Sequence, residues 1–170
     1  MSLNEATVFK VKDSVDLFLT DDTYITAYYM NSRKRRTFRI SPETVSLLEH
    51  IDGKRTAGEL RRLMLAEFTA SPESTDKTLT SLRASRIITE VQDISILCPD
   101  DSERYARQIN YFAEFFEDEA DGLRAQRRIS SSRVVIFGCG AVGGDIALEL
   151  AMAGVRSLVL VDYDVVERSD

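Results

Sequence analysis

The chain has 170 residues, of which 44% are apolar and 29% charged, and its formal net charge is −6. These values are ordinary for a soluble globular protein of one or two domains, and the negative charge argues against bulk binding to nucleic acid. The two cysteines, Cys98 and Cys139, form neither a metal-like pair nor a disulfide framework, no apolar stretch is long enough to cross a membrane, and the first residues are not those of a signal peptide. We therefore predict a cytoplasmic protein that offers no metal site of its own.

The first 92 residues begin with three predicted strands. Apolar and alternating residues place these strands at Val8–Val11, Tyr24–Tyr29 and Arg35–Ile40, and Asn31-Ser32 marks a turn before the third. A shorter strand at Ile87–Val91 is expected to close the unit. This part holds 14 basic and 13 acidic side chains, whereas residues 93–170 hold 8 and 15, a contrast that supports a division into two units.

Three predicted helices follow the strands, and each has its own start signal. Ser41 and Ser71 each precede a proline, which is the favoured pairing of N-cap and first helical residue. Thr56 and Glu59 form a capping box before the second helix. Three strands followed by three helices predict a small winged-helix-like α+β domain. Such domains often bind DNA, but the mixed charges of the third helix do not make a surface for phosphates.

A peptide-binding role is indicated by the stretch Ile51–Leu60 and the capped helices around it, which resemble the PqqD-like peptide-recognition domain over about residues 8–92. That family binds the leader region of precursor peptides during ribosomal natural-product synthesis. The resemblance implies that a peptide adds as a strand beside the third strand and packs on the third helix, and an exposed sheet edge favours this mode on physical grounds. The basic cluster Arg33–Arg36 is either a solvated turn or a patch that attracts an acidic peptide. The implied peptide-binding residues are Arg36, Phe38, Arg39, Ile40, Leu79, Leu82 and Arg83.

Residues 93–130 are predicted to form a helical linker. Apolar side chains recur there at helical spacing, at Tyr105, Ile109, Phe112 and Phe116. These side chains serve either core packing or the seam of a dimer. An acidic bend follows, and a second, basic helix is expected to run to Arg128.

A nucleotide-site pattern occupies residues 134–162. An apolar strand, Val134–Phe137, leads into a glycine turn, a helix-like run follows, and a second apolar strand ends at Asp162. The glycines let backbone N–H groups approach a phosphate, the helix directs its positive end at the same anion, and the carboxylate can accept hydrogen bonds from ribose hydroxyls. The alternative is a structural βαβ unit whose glycines serve only close packing. The predicted nucleotide contacts are Gly138, Gly140, Ala141, Val142, Gly143 and Asp162.

Three sequence pieces that occur in order carry a second resemblance, namely Arg104–Gln108, Ser132–Gly143 and Val161–Glu167. Over about residues 104–170 they resemble the ubiquitin-activating-enzyme-like adenylyltransferases, the ThiF/MoeB group, whose members bind ATP and Mg²⁺ and attach AMP to a C-terminal carboxyl group. The resemblance implies that Asp162 holds the ribose and that Gly140–Gly143 hold the phosphates. It also implies a catalytic Arg107 that reaches the ATP phosphates, in the family often from the partner subunit of a dimer. The family usually has glycine where Ala141 stands.

With its N-terminal peptide-recognition unit, the chain looks most like the microcin C-type enzymes that adenylate a precursor peptide. This resemblance implies a homodimer that binds ATP and a leader peptide, with no nucleic-acid or membrane partner. A peptide carboxylate would attack the α-phosphorus of ATP and release pyrophosphate, and such a reaction depends mainly on positioning and charge neutralisation. Zn²⁺ would be held only by cysteine pairs beyond this chain.

Residues 131–170 supply two strands and one crossover of a Rossmann-like ATP-binding domain, and a parallel sheet needs several strands. We therefore expect the chain to be an N-terminal fragment of a longer enzyme and to be inactive alone. Two other functions stay open. One is a leader-peptide-binding module with a non-catalytic nucleotide fold, and the other is an NAD-dependent oxidoreductase, because the glycine turn and Asp162 would also suit NAD.

Overall fold

The computed structural model of the chain describes residues 3–21, 23–92 and 95–165, and the motif residue Glu167 lies outside these ranges. The strands are β1 (Val8–Val11), β2 (Val15–Asp21), β3 (Tyr24–Tyr29), β4 (Lys34–Arg39), β5 (Asp52–Thr56), β6 (Ile88–Glu90), β7 (Arg133–Phe137) and β8 (Ser157–Val161). The helices are α1 (Pro42–His50), α2 (Ala57–Phe68), α3 (Pro72–Ala84), α4 (Pro99–Arg104), α5 (Ala106–Ala113), α6 (Ala120–Ser130) and α7 (Ala141–Met152). Strands followed by helices, and then a βαβ unit, agree with the predicted α+β fold with a Rossmann-like start.

The strands of the N-terminal part form two antiparallel sheets, of order β5-β1-β6 and β2-β3-β4. The predicted strands Val8–Val11 and Tyr24–Tyr29 are confirmed as β1 and β3, the predicted third strand is β4, and the closing strand is β6. The prediction of three strands before the helices is wrong, because β2 also precedes them and β5 lies between α1 and α2.

The two missed strands lack a clean sequence signal. In β2 the alternation of Val15, Leu17 and Leu19 is interrupted by Phe18, which is 55% exposed. β5 has the sequence DGKRT and contains no apolar residue. It is held by backbone pairing with β1, where Val8 lies opposite Thr56. Such pairing between distant segments leaves no local pattern to read.

One hydrophobic core joins both sheets to the first three helices. Its buried side chains come from β1, β3, α1, α2, α3 and the residues after α3, and include Phe9, Ala27, Tyr29, Leu47, Leu60, Met64, Leu79, Leu82, Ile87 and Ile88. Each large side chain of this kind contributes about 1.5–3 kcal/mol when fully buried. The N-terminal part therefore has a core of its own.

All three predicted helix starts are confirmed. The Ser41 hydroxyl accepts a hydrogen bond from the Thr44 amide, and the Ser71 hydroxyl accepts one from the Ser74 amide. Thr56 caps α2 in a reciprocal capping box with Glu59. Each cap satisfies an amide that the helix cannot, which contributes about 1 kcal/mol.

The predicted linker helix is broken in two at Tyr105, between α4 and α5. Ile109 is buried as the helical spacing predicted, but Phe116 lies beyond the end of α5 and is 41% exposed. The second basic helix is confirmed as α6. The buried Lys12 ammonium fastens this segment to the N-terminal part, because it donates hydrogen bonds to the carbonyls of Ala113 and Phe116 at the end of α5.

The C-terminal unit pairs β7 with β8 in parallel, and α7 connects them. The two predicted strands and the crossover helix are therefore confirmed. Most apolar side chains of this unit are exposed within the described part of the chain, among them Phe137 (78%), Val142 (74%), Leu148 (60%), Met152 (68%) and Leu160 (54%). In residues 3–21, 23–92 and 95–165, no helix is both long and apolar enough to cross a membrane.

Candidate functional site

The glycine turn joins the end of β7 to the start of α7 and lies against the end of β8. Gly138 has a φ of +86°, which suits glycine, and its amide donates to the Val161 carbonyl at 2.8 Å. A Cβ on Gly143 would lie 1.7 Å from the Gly138 carbonyl oxygen, so no larger residue fits there. A Cβ on Gly138 or Gly140 would meet no atom within 4 Å. The turn is therefore tightly packed on its inner side and open on its outer side.

The N-terminus of α7 faces this open side. Gly140 is its N-cap, and no side chain caps the helix. In the described part of the chain, the amides of Ala141, Val142 and Gly143 have no acceptor. These N–H groups and the positive end of the helix dipole together favour a bound anion.

Asp162 reaches the same turn from the end of β8. One carboxylate oxygen accepts from the Cys139 amide at 2.5 Å, and the other accepts from the Asp164 amide at 3.0 Å. These backbone hydrogen bonds, that of Cys139 foremost, lower the pKa of Asp162 below its usual value. The carboxylate is exposed and ionised at neutral pH, and each oxygen keeps a lone pair for a further donor. The structure thus brings Asp162 and the glycine turn together.

Arg107 lies elsewhere. Its neighbour Gln108 donates to Gln126 at 2.8 Å and to the Ala153 carbonyl at 3.1 Å, just after the C-terminal end of α7. The fully buried Gln126 donates to the same carbonyl at 3.0 Å. α7 has 12 residues and is about 18 Å long. The motif Arg104–Gln108 is therefore anchored at the opposite end of α7 from the glycine turn, and the exposed Arg107 is not brought to that turn.

The predicted peptide groove is only partly open. Leu79 and Leu82 are 0% and 7% exposed and belong to the core, so the apolar face of α3 that we assigned to a ligand packs inside the domain. Arg83 is engaged by Asp118, with its Nη2 at 2.7 Å from the carboxylate, and this hydrogen bond raises the pKa of Arg83. Three of the predicted peptide-binding residues therefore have partners within the chain.

The edge strand β4 keeps the other predicted peptide-binding residues. In the described part of the chain it pairs only with β3, which leaves its outer edge free. Arg36, Phe38 and Ile40 alternate along one face, which we call the inner face of β4. On that face Arg36 is exposed, Phe38 is half-buried and Ile40 is buried, whereas Arg39 is exposed on the opposite face.

The predicted peptide-binding residues do not include two cations near this edge, Arg86 and Lys34, although Lys34 belongs to the basic cluster Arg33–Arg36. Together with Arg36 they line a small pocket that Phe115 closes on one side. Arg86 has a φ of +61°, a backbone conformation that favours glycine. An arginine directly after a helix end, where glycine is usual, is the sequence signal that could have identified it.

In the described residues, no cluster of three or more histidine, cysteine, aspartate or glutamate side chains could hold a metal ion. The groups that the site does supply are backbone amides and one carboxylate at the glycine turn, and cations at the β4 edge. The first set suits a nucleotide, and the second suits a ligand with negative charge.

Comparison with known proteins shows what the C-terminal part of the chain is similar to. Residues 105–170 match the model of the ThiF family. The chain is 34% identical over 133 residues to the adenylyltransferase and sulfurtransferase MOCS3 of Mus musculus, a match that covers 76% of this chain and 26% of that protein. It is 32% identical over 76 residues to the SUMO-activating enzyme subunit 1 of Xenopus laevis, covering 45% of this chain and 20% of that protein. The resemblance of this segment to the ThiF/MoeB group is thereby confirmed.

Solved structures that resemble nearly the whole chain include those of two different proteins. One is E. coli MccB with AMPCPP and MccA, with a TM-score of 0.64 and 15% identity over 95% of this chain and 44% of that one. The other is PaaA, with a TM-score of 0.63 and 28% identity over 93% of this chain and 47% of that one. The first likeness shows a shared fold. The chain spans about a quarter of the MOCS3 relative and less than half of these solved structures.

Proposed function

We propose that the complete protein is a cytoplasmic, ATP-dependent adenylyltransferase that acts on a ribosomally made precursor peptide. Residues 131–170 would begin its ATP-binding domain, residues 93–130 would form a helical dimer-contact segment, and residues 1–92 would bind the leader peptide. The observation that carries the proposal is the glycine turn, where the Asp162 carboxylate lies beside the start of α7, whose first amides have no acceptor in the described part of the chain, in a segment that matches the ThiF family.

Gly140 supports a ligand on the open side of the turn. Its φ of −64° is one that any residue adopts, and an added Cβ would meet no atom within 4 Å. Neither the backbone nor the packing therefore requires glycine there, whereas the close approach of a phosphate would. Ala141, which replaces the usual glycine of the family, has its exposed side chain in the first turn of α7 and leaves the amides accessible.

The nucleotide would lie with its phosphates on the amides of Ala141, Val142 and Gly143 and its ribose hydroxyls on Asp162. Bound ATP, with Mg²⁺ on its phosphates, supplies the α-phosphorus that a peptide carboxylate attacks as pyrophosphate leaves. The chain's part in this step is to hold the phosphates in place and offset their charge with preorganised N–H groups. The ThiF match favours ATP over NAD and thus disfavours the oxidoreductase alternative.

Arg107 would act on a nucleotide bound to a second copy of the protein. Gln108 and Gln126 anchor its motif at the far end of α7 from the glycine turn of the same chain. A two-fold dimer could bring this exposed arginine to the partner's phosphates. A homodimer would also cover apolar side chains that the described part of this chain leaves exposed.

The N-terminal domain would be a winged-helix-like, PqqD-like recognition domain for the leader peptide. In the described part of the chain, the outer edge of β4 has no strand partner and offers its backbone groups to an added strand, and Arg36, Phe38 and Arg39 stand along it. MccB, a structural neighbour, has been solved with the peptide MccA. Leu79 and Leu82 are core residues and would not contact the peptide in this groove.

ATP–pyrophosphate exchange by the complete protein tests the proposal. We expect exchange that requires the precursor peptide, and we expect ATP, but not NAD, to raise the thermal unfolding temperature. Peptide binding without exchange would favour the alternative of a non-catalytic binding module.

A mixing experiment tests the role of Arg107. The variants Arg107→Ala and Asp162→Ala should each lose exchange, and their mixture should recover part of it, because a mixed dimer holds one intact site. No recovery in mixed dimers would place Arg107 outside the partner's site.

A further inference from the structure

A small basic pocket lies beside β4, where the β3–β4 turn approaches the end of α3 and the residues after α5. Its lining residues are Tyr29, Ser32, Lys34, Arg36, Arg86, Glu114 and Phe115. The pocket has a volume of about 50 Å³. That is several times the ~10–15 Å³ that one water-sized sphere needs, so the pocket has room for a carboxylate but not for an aromatic ring.

The pocket is lined by three cations and one acid, Glu114. In the described part of the chain, Lys34, Arg36 and Arg86 form no ion pair with a carboxylate. The one acid in the lining, Glu114, is 3% exposed and accepts hydrogen bonds from the amides of Asn31 and Ser32 at 2.8 and 2.9 Å. Glu114 therefore serves the β3–β4 turn, and the cations remain available for an anion.

Arg86 occupies a backbone position that disfavours it. The amide of Arg86 donates to Arg83 at 2.8 Å and that of Ile87 donates to Leu82 at 3.0 Å, which is the pattern that ends a helix with a left-handed residue. The φ of Arg86 is +61°, and glycine is the usual residue there because it has no Cβ to clash. Strained non-glycine residues cluster at functional sites, and what arginine adds here is a cation in the pocket.

The inner face of β4 changes character along the strand. Lys34 and Arg36 lie at its start, opposite Tyr29 and Ala27, and Phe38 lies farther along, opposite Ile25. A strand that pairs with the free edge of β4 presents every second residue to this same face. Its inner residues would thus meet cations at one end and apolar side chains at the other.

We propose that Lys34, Arg36 and Arg86 receive the carboxylate of an aspartate or glutamate in a peptide that adds to the edge of β4, and that this contact sets the register of the peptide. The inference rests on the peptide binding proposed above and names the peptide's chemistry. Two or four residues from the acid, on the side toward Phe38, the peptide should carry an apolar residue. An antiparallel peptide would carry its apolar residue before the acid, and a parallel one after it.

The test is a display selection of random decapeptides against this chain and two variants. Arg86→Gly removes one of the three pocket cations from a position that glycine suits, so the thermal unfolding temperature should stay the same or rise. Arg33→Gly is the matched control, because Arg33 also has a positive φ, of 56°, yet does not line the pocket. The parent and the control should enrich peptides with an acid at a fixed even spacing from an apolar residue. Peptides enriched by Arg86→Gly should no longer share the acid but should still share the apolar residue.

Each failure has its own signature. If no peptide is enriched by the parent, the proposed peptide binding fails, and this inference fails with it. If peptides are enriched without a fixed acid, or if Arg86→Gly keeps that acid, only the basic pocket is rejected.

Fluorescence anisotropy with one selected, labelled peptide then measures the contact. Replacing its acid by the matching amide should weaken binding to the parent by about five- to tenfold and should change binding to Arg86→Gly much less. Arg86→Glu should bind a peptide with lysine in place of the acid better than the original peptide. Equal losses for parent and variant would reject the contact.

Discussion

The N-terminal part and the C-terminal βαβ unit differ in how they treat their apolar residues. In the N-terminal part, most of the large apolar side chains of α2 and α3 pack in one core, where Leu60 and Leu79 are fully buried. In β7–α7–β8 the corresponding side chains face outward, and Leu148 on α7 is 60% exposed. The first region forms a core within itself, whereas the second offers surfaces on which other structure can pack.

The two candidate sites follow this contrast. The β4 edge belongs to a region with its own core, so its backbone groups and cations are held by a rigid support. The glycine turn belongs to a pair of strands whose outer surfaces are open, and its local geometry depends on contacts such as that between Asp162 and the Cys139 amide. Substitutions can test this difference between the two regions. One pair compares a core residue with a surface residue, and another compares a glycine needed for packing with one that would contact a ligand.

The largest expected effect comes from a pair of leucines. Leu79→Ala should lower the free energy of unfolding of residues 3–92 by about 2–5 kcal/mol, because it leaves a cavity in a closed core. Leu148→Ala should change the stability of this chain by no more than about 0.5 kcal/mol, because the side chain is exposed. Urea denaturation of both variants measures the difference. A large loss for Leu148→Ala would mean that α7 packs against a second copy in solution.

A pair of glycines separates packing from ligand binding. Gly143→Ala places a Cβ 1.7 Å from the Gly138 carbonyl oxygen. It should destabilise the βαβ unit by about 1–3 kcal/mol and leave the protection of residues 3–92 unchanged in hydrogen exchange. Gly140→Ala meets open space, so it should keep the unfolding profile. In the complete protein it should nevertheless weaken ATP binding, and unchanged ATP affinity would remove this turn from the site.

Asp162 tests the same site through its charge. In the complete protein, Asp162→Ala should weaken ATP by about ten- to a hundredfold, because an ionised acceptor for ribose is lost. Asp162→Asn is the matched variant, since its amide oxygen can still accept from the Cys139 amide and hold the turn. Calorimetry on both would show whether the loss follows the charge or the turn. Parent-like ATP affinity in both variants would contradict a role for Asp162.

Local chemistry explains which elements the sequence predicted. The caps at Ser41, Thr56 and Ser71 depend on residues within one helical turn, so their positions could be predicted closely. Part of the glycine turn could be predicted for the same reason, since Gly138 has a positive φ and Gly143 packs closely against the Gly138 carbonyl. β5 could not, because four polar residues and a glycine become a strand only by pairing with β1.

The residues of the predicted peptide site depend on tertiary packing instead. The apolar face of α3 was correctly identified, but a helical pattern does not say whether that face meets a ligand or the protein's own core. Leu79 and Leu82 meet the core. Arg86 could not be placed in its pocket from the sequence, because that pocket depends on a backbone angle and on residues distant along the chain, Lys34 and Phe115.

The last expected effect depends on pH and concerns two lysines at the junction of the N-terminal part with α5. Burial lowers the pKa of Lys12 to about 8 from an ordinary value of 10.5, with Glu119, Asp118, Arg86 and Glu117 as the charged groups around it. Between these pH values the unfolded chain binds more protons than the folded chain, so Lys12 should make stability rise with pH from about 8 to 10.5. Lys12→Met should flatten that rise in urea denaturation series at pH 7, 8, 9 and 10.

Lys10 in β1 provides the matched control, because its effect on the pH dependence of stability should have the opposite sign. Desolvation alone would lower its pKa, but hydrogen bonds with Glu119 and Asp13 outweigh it and raise the pKa above the ordinary 10.5. The stability that Lys10 contributes is thus fully present below pH 10.5 and is lost as the pH rises through its folded pKa. Lys10→Met should therefore keep the rise between pH 8 and 10 that Lys12→Met removes. If both variants keep the parent's slope, Lys12 is not buried as a cation, and its hydrogen bonds to Ala113 and Phe116 do not join α5 to the N-terminal core.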